Sequence, residues 1–392
     1  MMKRGILVMM LVCIFVVGLV MATAHAKELK IGVLGPLSGP VAFAGKTVLN
    51  SAMVAADEVN AAGGVRIAGE TYKIKLIGYD TKYAVQPAKR AAERLIFEDK
   101  VKFIIGALSL DTRGFQGVSE KNKVIIMPLG GSIFADPKKP YTFRITGLVD
   151  AKYVGVYTYI QKNMPYLKAV SFINPDTPVG EAYSGFSRKA AEPLGFKVLG
   201  SEFIALGGGD FTPVLTKVLG KKPDIIDLGA TGGGSDSALL IKQARELGFK
   251  GQMVAAVGLQ SKTVMQVVGP TGMEGVIETG FTPDDPALSP GFKKFAMTYT
   301  KRFPKLPFID LCSEAYDSTL AFFKFLNGQD TMDTSVLKDR FGNYVWNGIY
   351  GKTYFGGKKT YGIKRQKVQP LYLSRWKNGK PSIISTVDAP VP

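Results

Sequence analysis

From residue 29 onward the chain alternates short apolar runs with amphipathic stretches of helical period, and this alternation limits the possible folds more than any other feature. Leu29–Leu34 reads as a strand. Val48, Leu49, Ala52, Met53, Ala56 and Val59 then recur at helical spacing from Thr47 to Ala62, and Gly63-Gly64 ends the helix. Strands follow at Tyr72–Tyr79, Val101–Leu108 and Val124–Leu129, separated by helices at Pro87–Phe97 and Asp111–Asn122. After Tyr141–Thr146 the alternation restarts, with helices at Ala151–Asn163, Glu181–Pro193, Thr212–Leu219, Ser237–Leu247 and Lys262–Val268. Between them lie strands Ala169–Asn174, Lys197–Ala205, Asp224–Leu228 and Gln252–Val257. Ser289–Asn327 is helical again, and the tail from Tyr350 to Ile384 is aromatic, glycine-rich and strand-like. Repeated strand–helix units hide their apolar strands in a parallel sheet clad by helices on both faces. At 392 residues, two successive doubly wound α/β units fit the length better than one very large sheet.

The first 26 residues stand outside this pattern. Lys3 and Arg4 precede the apolar run Ile6–Val20, and Ala24-His25-Ala26 supplies a small-x-small cleavage site. The segment therefore reads as a secretory signal peptide, removed after Ala26. Its removal takes His25 and Cys13, leaving a chain with no histidine and the single cysteine Cys312. Ser-His-Asp and Cys-His catalysis are excluded, as are an intramolecular disulfide and a His- or Cys-cluster zinc site. No metal or other cofactor is implied. Of the 50 basic residues the leader takes two, leaving a net charge of +16 against 32 acids. The lysines occur as scattered pairs, such as Lys138-Lys139 and Lys293-Lys294, in place of one stripe, so nucleic acid is not the expected partner. Asp284, Asp285, Glu314, Asp317 and Glu181 offer carboxylates for hydrolysis of glycosidase type, but no spacing selects a pair.

The stretch Ile31–Thr47, IGVLGPLSGPVAFAGKT, has the outline of a phosphate loop. The pattern G-x-x-x-x-G-K-[ST] fails by one residue, because Ala44 stands where the second glycine belongs and Pro40 has no N–H to offer. What remains is a glycine-rich turn at the carboxyl end of a strand, the edge where open α/β sheets bind ligands. Ser38 and Phe43 sit in that turn. Gly106–Thr112 and Gly130-Gly131-Ser132 end two further strands, and Gly232-Gly233-Gly234 follows a strand of the second unit.

Taken together, several stretches resemble the type I periplasmic solute-binding proteins of the branched-chain amino acid ABC uptake family. They are IGVLGPLSG (31–39), AADEVNAAGG (55–64), IGYD (77–80), IIGALS (104–109) and the Pro128–Ser132 turn. FRITGLVD (143–150), GGGDFTPVL (207–215) and LIKQARELGFKGQ (240–252) complete the set. The resemblance implies two doubly wound lobes joined by three crossovers, of residues 27–144 with 281–345 and 145–280 with 346–392. It implies no catalysis, a periplasmic location, a monomer, and docking of the closed form on an inner-membrane ABC permease. A ligand carboxylate is expected to meet hydroxyls and N–H groups at Leu108, Ser109, Leu110, Thr112, Gly130, Gly131 and Ser132. The second lobe contributes at Val179, Thr231 and Val257.

Two departures bear on the ligand. The acid that holds an α-ammonium in the amino acid binders is replaced here by Ala255-Ala256-Val257-Gly258, and an aromatic position by Thr231. The loop cysteines of some members are Tyr83 and Ser109. The expected ligand is therefore a small carboxylate, a branched-chain amino acid or, in preference, an aromatic or aliphatic acid without an α-ammonium. The alternatives are an exported ligand sensor of the same fold and a carboxylate-dependent hydrolase. A shift in alignment would bring Asp236 or Glu278 into the vacant acid position.

Overall fold

The central strands are buried on both faces, and their side chains divide between two layers of helices with a period of two. The computed structural model describes residues 27–388 apart from Pro40, Ser132, Leu148, Gly232, Gly233, Val257 and Gln260, together with the side chains of Ser261, Lys262 and Asp388. The leader and the expected contacts at Ser132 and Val257 lie outside the described residues.

The first half runs β1 (Lys27–Gly35), α1 (Ala42–Ala61), β2 (Val65–Ile67), β3 (Glu70–Asp80), α2 (Val85–Phe97), β4 (Phe103–Gly106), α3 (Ser109–Lys121) and β5 (Ile125–Met127). These strands form one sheet in the order β2-β3-β1-β4-β5, parallel except for the β2–β3 hairpin. Phe103 and Ile105 of β4 enter the core shared with α1, while Ile104 between them packs with Leu95 of α2 and Phe115 of α3.

The second half runs α4 (Val149–Asn163), β6 (Ala169–Pro175), α5 (Pro178–Ala191), β7 (Lys197–Ile204), α6 (Thr212–Gly220), β8 (Ile225–Asp227), α7 (Ser235–Glu246), β9 (Gln252–Ala255), α8 (Ser261–Val267), α9 (Gly269–Met273) and β10 (Ile277–Glu278). Ile225 and Val254 face one core, Ile226 and Met253 the other. The chain then returns through α10 (Pro290–Arg302), α11 (Asp310–Leu326) and α12 (Thr334–Gly342). It ends with β11 (Val345–Gly348), β12 (Gly351–Gly356), α13 (Lys358–Tyr361), β13 (Gln366–Val368), β14 (Pro370–Lys377) and β15 (Lys380–Asp388). The second sheet has the order β15-β14-β10-β9-β8-β6-β7, in which β14 alone runs antiparallel, to both of its neighbours β10 and β15.

Three expectations are refined. The first helix begins at Ala42, so Gly45-Lys46-Thr47 lies inside it. Tyr141–Thr146, after which the alternation restarts, carries the isolated bridges Ile126–Thr142 and Arg144–Gln366. The helical stretch 289–327 is two helices, because Pro304 and Pro307 fall between α10 and α11 and cannot donate backbone hydrogen bonds. The tail divides: Trp346 and Phe355 of the β11–β13 sheet pack in the first core with Phe143 and Phe341, and only β14 and β15 join the second sheet. The chain passes from the β11–β13 sheet to the second sheet at Val368–Pro370.

Arg144 of the first crossing and the start of β13 run side by side. The N–H of Arg144 donates to Arg365 O, and the N–H of Lys367 donates to Arg144 O, both at 2.9 Å. Two of the chain's three passages between the sheets therefore form one ribbon.

Candidate functional site

Parallel pairing puts the carboxyl ends of β1, β4, β5, β6, β8 and β9 along corresponding sheet edges, so the following loops gather there. The loop after β1 is tied to its own lobe. Asp80, which ends β3, accepts the N–H groups of Leu37 and Lys82 at 2.8 Å and the hydroxyl of Ser38 at 2.5 Å. Burial raises the Asp80 carboxyl, but these three donors outweigh it and hold the group below its ordinary value. Ser38 thus points at Asp80. The turn closes tightly on Gly45, where a Cβ would sit 2.0 Å from the carbonyl oxygen of Pro36. Phe43 is 43% exposed at the same edge.

The second and third loops meet. A Cβ on Gly130 would lie 2.7 Å from Ser109 Oγ, so the turn after β5 rests on the start of α3. Leu108, in extended conformation, precedes that helix, and Leu110 is 38% exposed. Thr112 is wholly buried and donates its hydroxyl to Leu108 O at 2.6 Å, a bond within the helix. Gly131 is exposed and faces the second half: a Cβ there would be 3.9 Å from Oη of Tyr183 in α5. Thr177 caps α5 through Gly180 N–H at 3.1 Å, with Pro178 at its first position, and this presents Val179, 54% exposed, in the first turn. Thr231 is buried, its hydroxyl 2.7 Å from that of Ser237.

The composition of the wall was not legible from the loops. Beneath Gly131 lies Arg144, 1% exposed, whose Nη2 donates to Gly131 O at 2.7 Å and Nη1 to Gln366 Oε1 at 3.2 Å. Its guanidinium carbon lies 5.5 Å from the Phe134 ring centroid, and Phe134 is 6.2 Å from Tyr361. The available signal was a single cation inside the otherwise apolar and hydroxyl-bearing run Phe143–Leu148.

Four acids of the second half accept protein donors. Asp227 accepts Tyr157 Oη–H at 2.6 Å and Gly229 N–H at 2.9 Å, and burial pushes its carboxyl up to about 6. Glu278 accepts Leu259 N–H at 2.5 Å and Trp376 Nε1–H at 2.6 Å, and burial pushes it up to about 7. Asp236 accepts Gly207 N–H at 2.9 Å, and Asp150 accepts Ala151 N–H at 3.1 Å. Of the carboxylates weighed for hydrolysis, Asp285, Glu314 and Asp317 are likewise committed, Asp285 to the N–H groups of Ala287 and Ile383 at 2.9 Å. Glu314 takes Gly147 N–H at 3.0 Å and the Thr146 hydroxyl at 2.8 Å, and Asp317 takes Trp346 Nε1–H at 3.0 Å and Ile349 N–H at 2.8 Å. A cavity of about 330 Å³ lies elsewhere, lined by residues including Glu58, Lys294, Tyr316, Lys324 and Trp346, and shares none of the strand-end loops.

Residues 28–381 match the family described as periplasmic binding protein. A Pseudomonas aeruginosa protein described as an amino acid binding protein is 28% identical over 277 residues, covering 70% of this chain and 72% of its own. Among solved structures, the branched-chain amino acid transporter substrate binding protein LivJ of Streptococcus pneumoniae, in complex with isoleucine, superposes with a TM-score of 0.73 at 22% identity. That alignment covers 92% of this chain and 100% of the other. An R. palustris ABC transporter solute-binding protein in complex with 4-hydroxybenzoate gives 0.73 at 19% identity, over 93% of this chain and 98% of its own. The two-sheet α/β architecture is that of the type I periplasmic binding proteins, and with the match spanning nearly the whole described chain, this protein belongs to the periplasmic binding protein family.

Proposed function

We propose that this chain is the periplasmic receptor of an ABC uptake transporter, capturing a small carboxylate without an α-ammonium between two lobes. The lobes are residues 27–144 with 281–368, and 145–280 with 370–388. The relatives bear on the class of ligand: one bears the name of an amino acid binder, one structure holds isoleucine and another 4-hydroxybenzoate. The observation that favours an acid over an amino acid is the commitment of Asp227, Asp236 and Glu278 to protein donors. An ammonium brought against these three would compete with donors already in place, while Asp176 and Glu181 beside Val179 are exposed, and a buried charge without a partner is strongly unfavourable.

The anion side is the edge where Leu108, Ser109, Leu110, Thr112, Gly130 and Gly131 gather. Backbone N–H groups at the start of α3 favour negative charge. Phe43, Phe134, Val179 and Tyr183 close the apolar part. Closure by hinge bending then buries the ligand and presents the closed form to the permease, the receptor acting as a monomer. Mass spectrometry of the small molecule released when the purified protein is denatured tests the reading. A nitrogen-free acid is expected; an α-amino acid would overturn it.

A further inference from the structure

Two arginines are buried side by side along the paired crossings, and they differ in one respect. Arg365 is matched by Asp339, Nη2 to Oδ1 at 3.1 Å. Arg144 has no carboxylate within 4.0 Å among the described residues: its two bonds go to the neutral oxygens of Gly131 and Gln366, and its Nε faces no described acceptor. Asp150 and Glu314 act on it only from greater distance, and both accept backbone N–H groups already. Guanidinium groups stay charged in proteins. A desolvated cation without a counter-ion is strongly unfavourable unless something else in the protein's working cycle supplies the negative charge.

Position shows what supplies it. Arg144 stands directly behind Gly131, which faces Tyr183 across the two halves, and beside Phe134 and Tyr361. We propose that Arg144 is the specificity-determining charge of the cleft: it pins Gly131 by its carbonyl and lends the wall an unneutralised positive field that selects an anionic over a neutral ligand. The inference rests on the cleft being the ligand site, as argued above. Arg144 acts through Gly131 and through space, so it is a positioning residue that need not touch the ligand. At about 6 Å and the effective dielectric of partly buried sites, one such charge separates an anion from its neutral isostere by about 100-fold.

The test compares matched pairs, benzoate with benzamide and leucine with leucinamide, by calorimetry on the full mature chain. For whichever carboxylate binds, the amide is expected to bind about 100-fold more weakly, a preference that falls below about 10-fold in Arg144→Gln and is largely kept in Arg144→Lys. A ratio unchanged in Arg144→Gln overturns the proposal, as does binding of neither carboxylate. Leucine binding in place of benzoate would sink the reading of the ligand while leaving the Arg144 test intact on the leucine pair. If Arg144→Gln does not fold, the wild-type ratio is measured from about 0.05 to 0.5 M salt, because a buried charge is little screened. A ratio that stays within about threefold supports Arg144; a collapse of tenfold or more assigns the preference to surface lysines and overturns it.

Discussion

The carboxylate of Glu314 in α11 accepts the N–H of Gly147 at 3.0 Å, so a helix of the first half grips the backbone of the first crossing. The same side chain takes the Thr146 hydroxyl at 2.8 Å and lies 3.4 Å from Gln369 Nε2 in the third passage. Glu314→Ala would strand these donors in a buried setting. The expected loss is about 2–4 kcal/mol of unfolding free energy in urea titration. A loss under about 0.5 kcal/mol would mean that the passages hold each other without it.

A second link joins the halves beside it. Lys152 of α4 lies 3.2 Å from Asp310 of α11, and Asp310 also accepts the Tyr350 hydroxyl at 2.7 Å. Burial works to lower the Lys152 ammonium, but Asp310 and Glu314 outweigh it and hold it above its ordinary value. A group raised in this way contributes its stability below the unfolded lysine pKa, so the contribution is fully present at neutral pH. A double-mutant cycle of Lys152→Met and Asp310→Asn should give a coupling of about 1–3 kcal/mol. Additive losses would refute the link.

Glu278 sets a pH dependence of definite sign. Its carboxyl is raised by burial to about 7, so the folded chain keeps a proton that the unfolded chain has released. Unfolding free energy therefore falls as pH rises from the ordinary glutamate value toward about 7, by roughly 3 kcal/mol from this residue. Glu278→Gln should flatten the decline between about pH 5 and 7.5 relative to wild type in parallel thermal melts. Parallel profiles for the two proteins would contradict the assignment.

Cys312 is wholly buried and its thiol is pushed up to about 11 by burial. The native protein should leave Ellman's reagent unreacted over an hour, with one thiol titrating after denaturation, because only the thiolate attacks. Rapid reaction of the folded chain would place this cysteine outside the core.

Much of this was written in local patterns. The alternation of Phe103, Ile104 and Ile105 between two cores follows from strand period alone, and the strand-end glycines marked the edge where Gly130 meets Ser109. What stayed hidden depends on distant partners. Ser38 turns toward Asp80, 42 residues on, and Arg144 finds Gln366, 222 residues on. The aromatic tail from Val345 has a composition that suits either core, so the packing of Phe355 on Phe143 at 5.0 Å, and with it the late return at Val368–Pro370, could be seen only in three dimensions.

The central claim, a receptor for a small carboxylate lacking an α-ammonium, is tested most directly by calorimetric titration of the mature protein with benzoate, 4-hydroxybenzoate, leucine and isoleucine under identical conditions. Saturable binding of an acid at least about 10-fold tighter than either amino acid is expected, since Asp227, Asp236 and Glu278 are already engaged and an ammonium buried without a counter-charge is unfavourable. Tight binding of leucine or isoleucine with no response to the acids would contradict it.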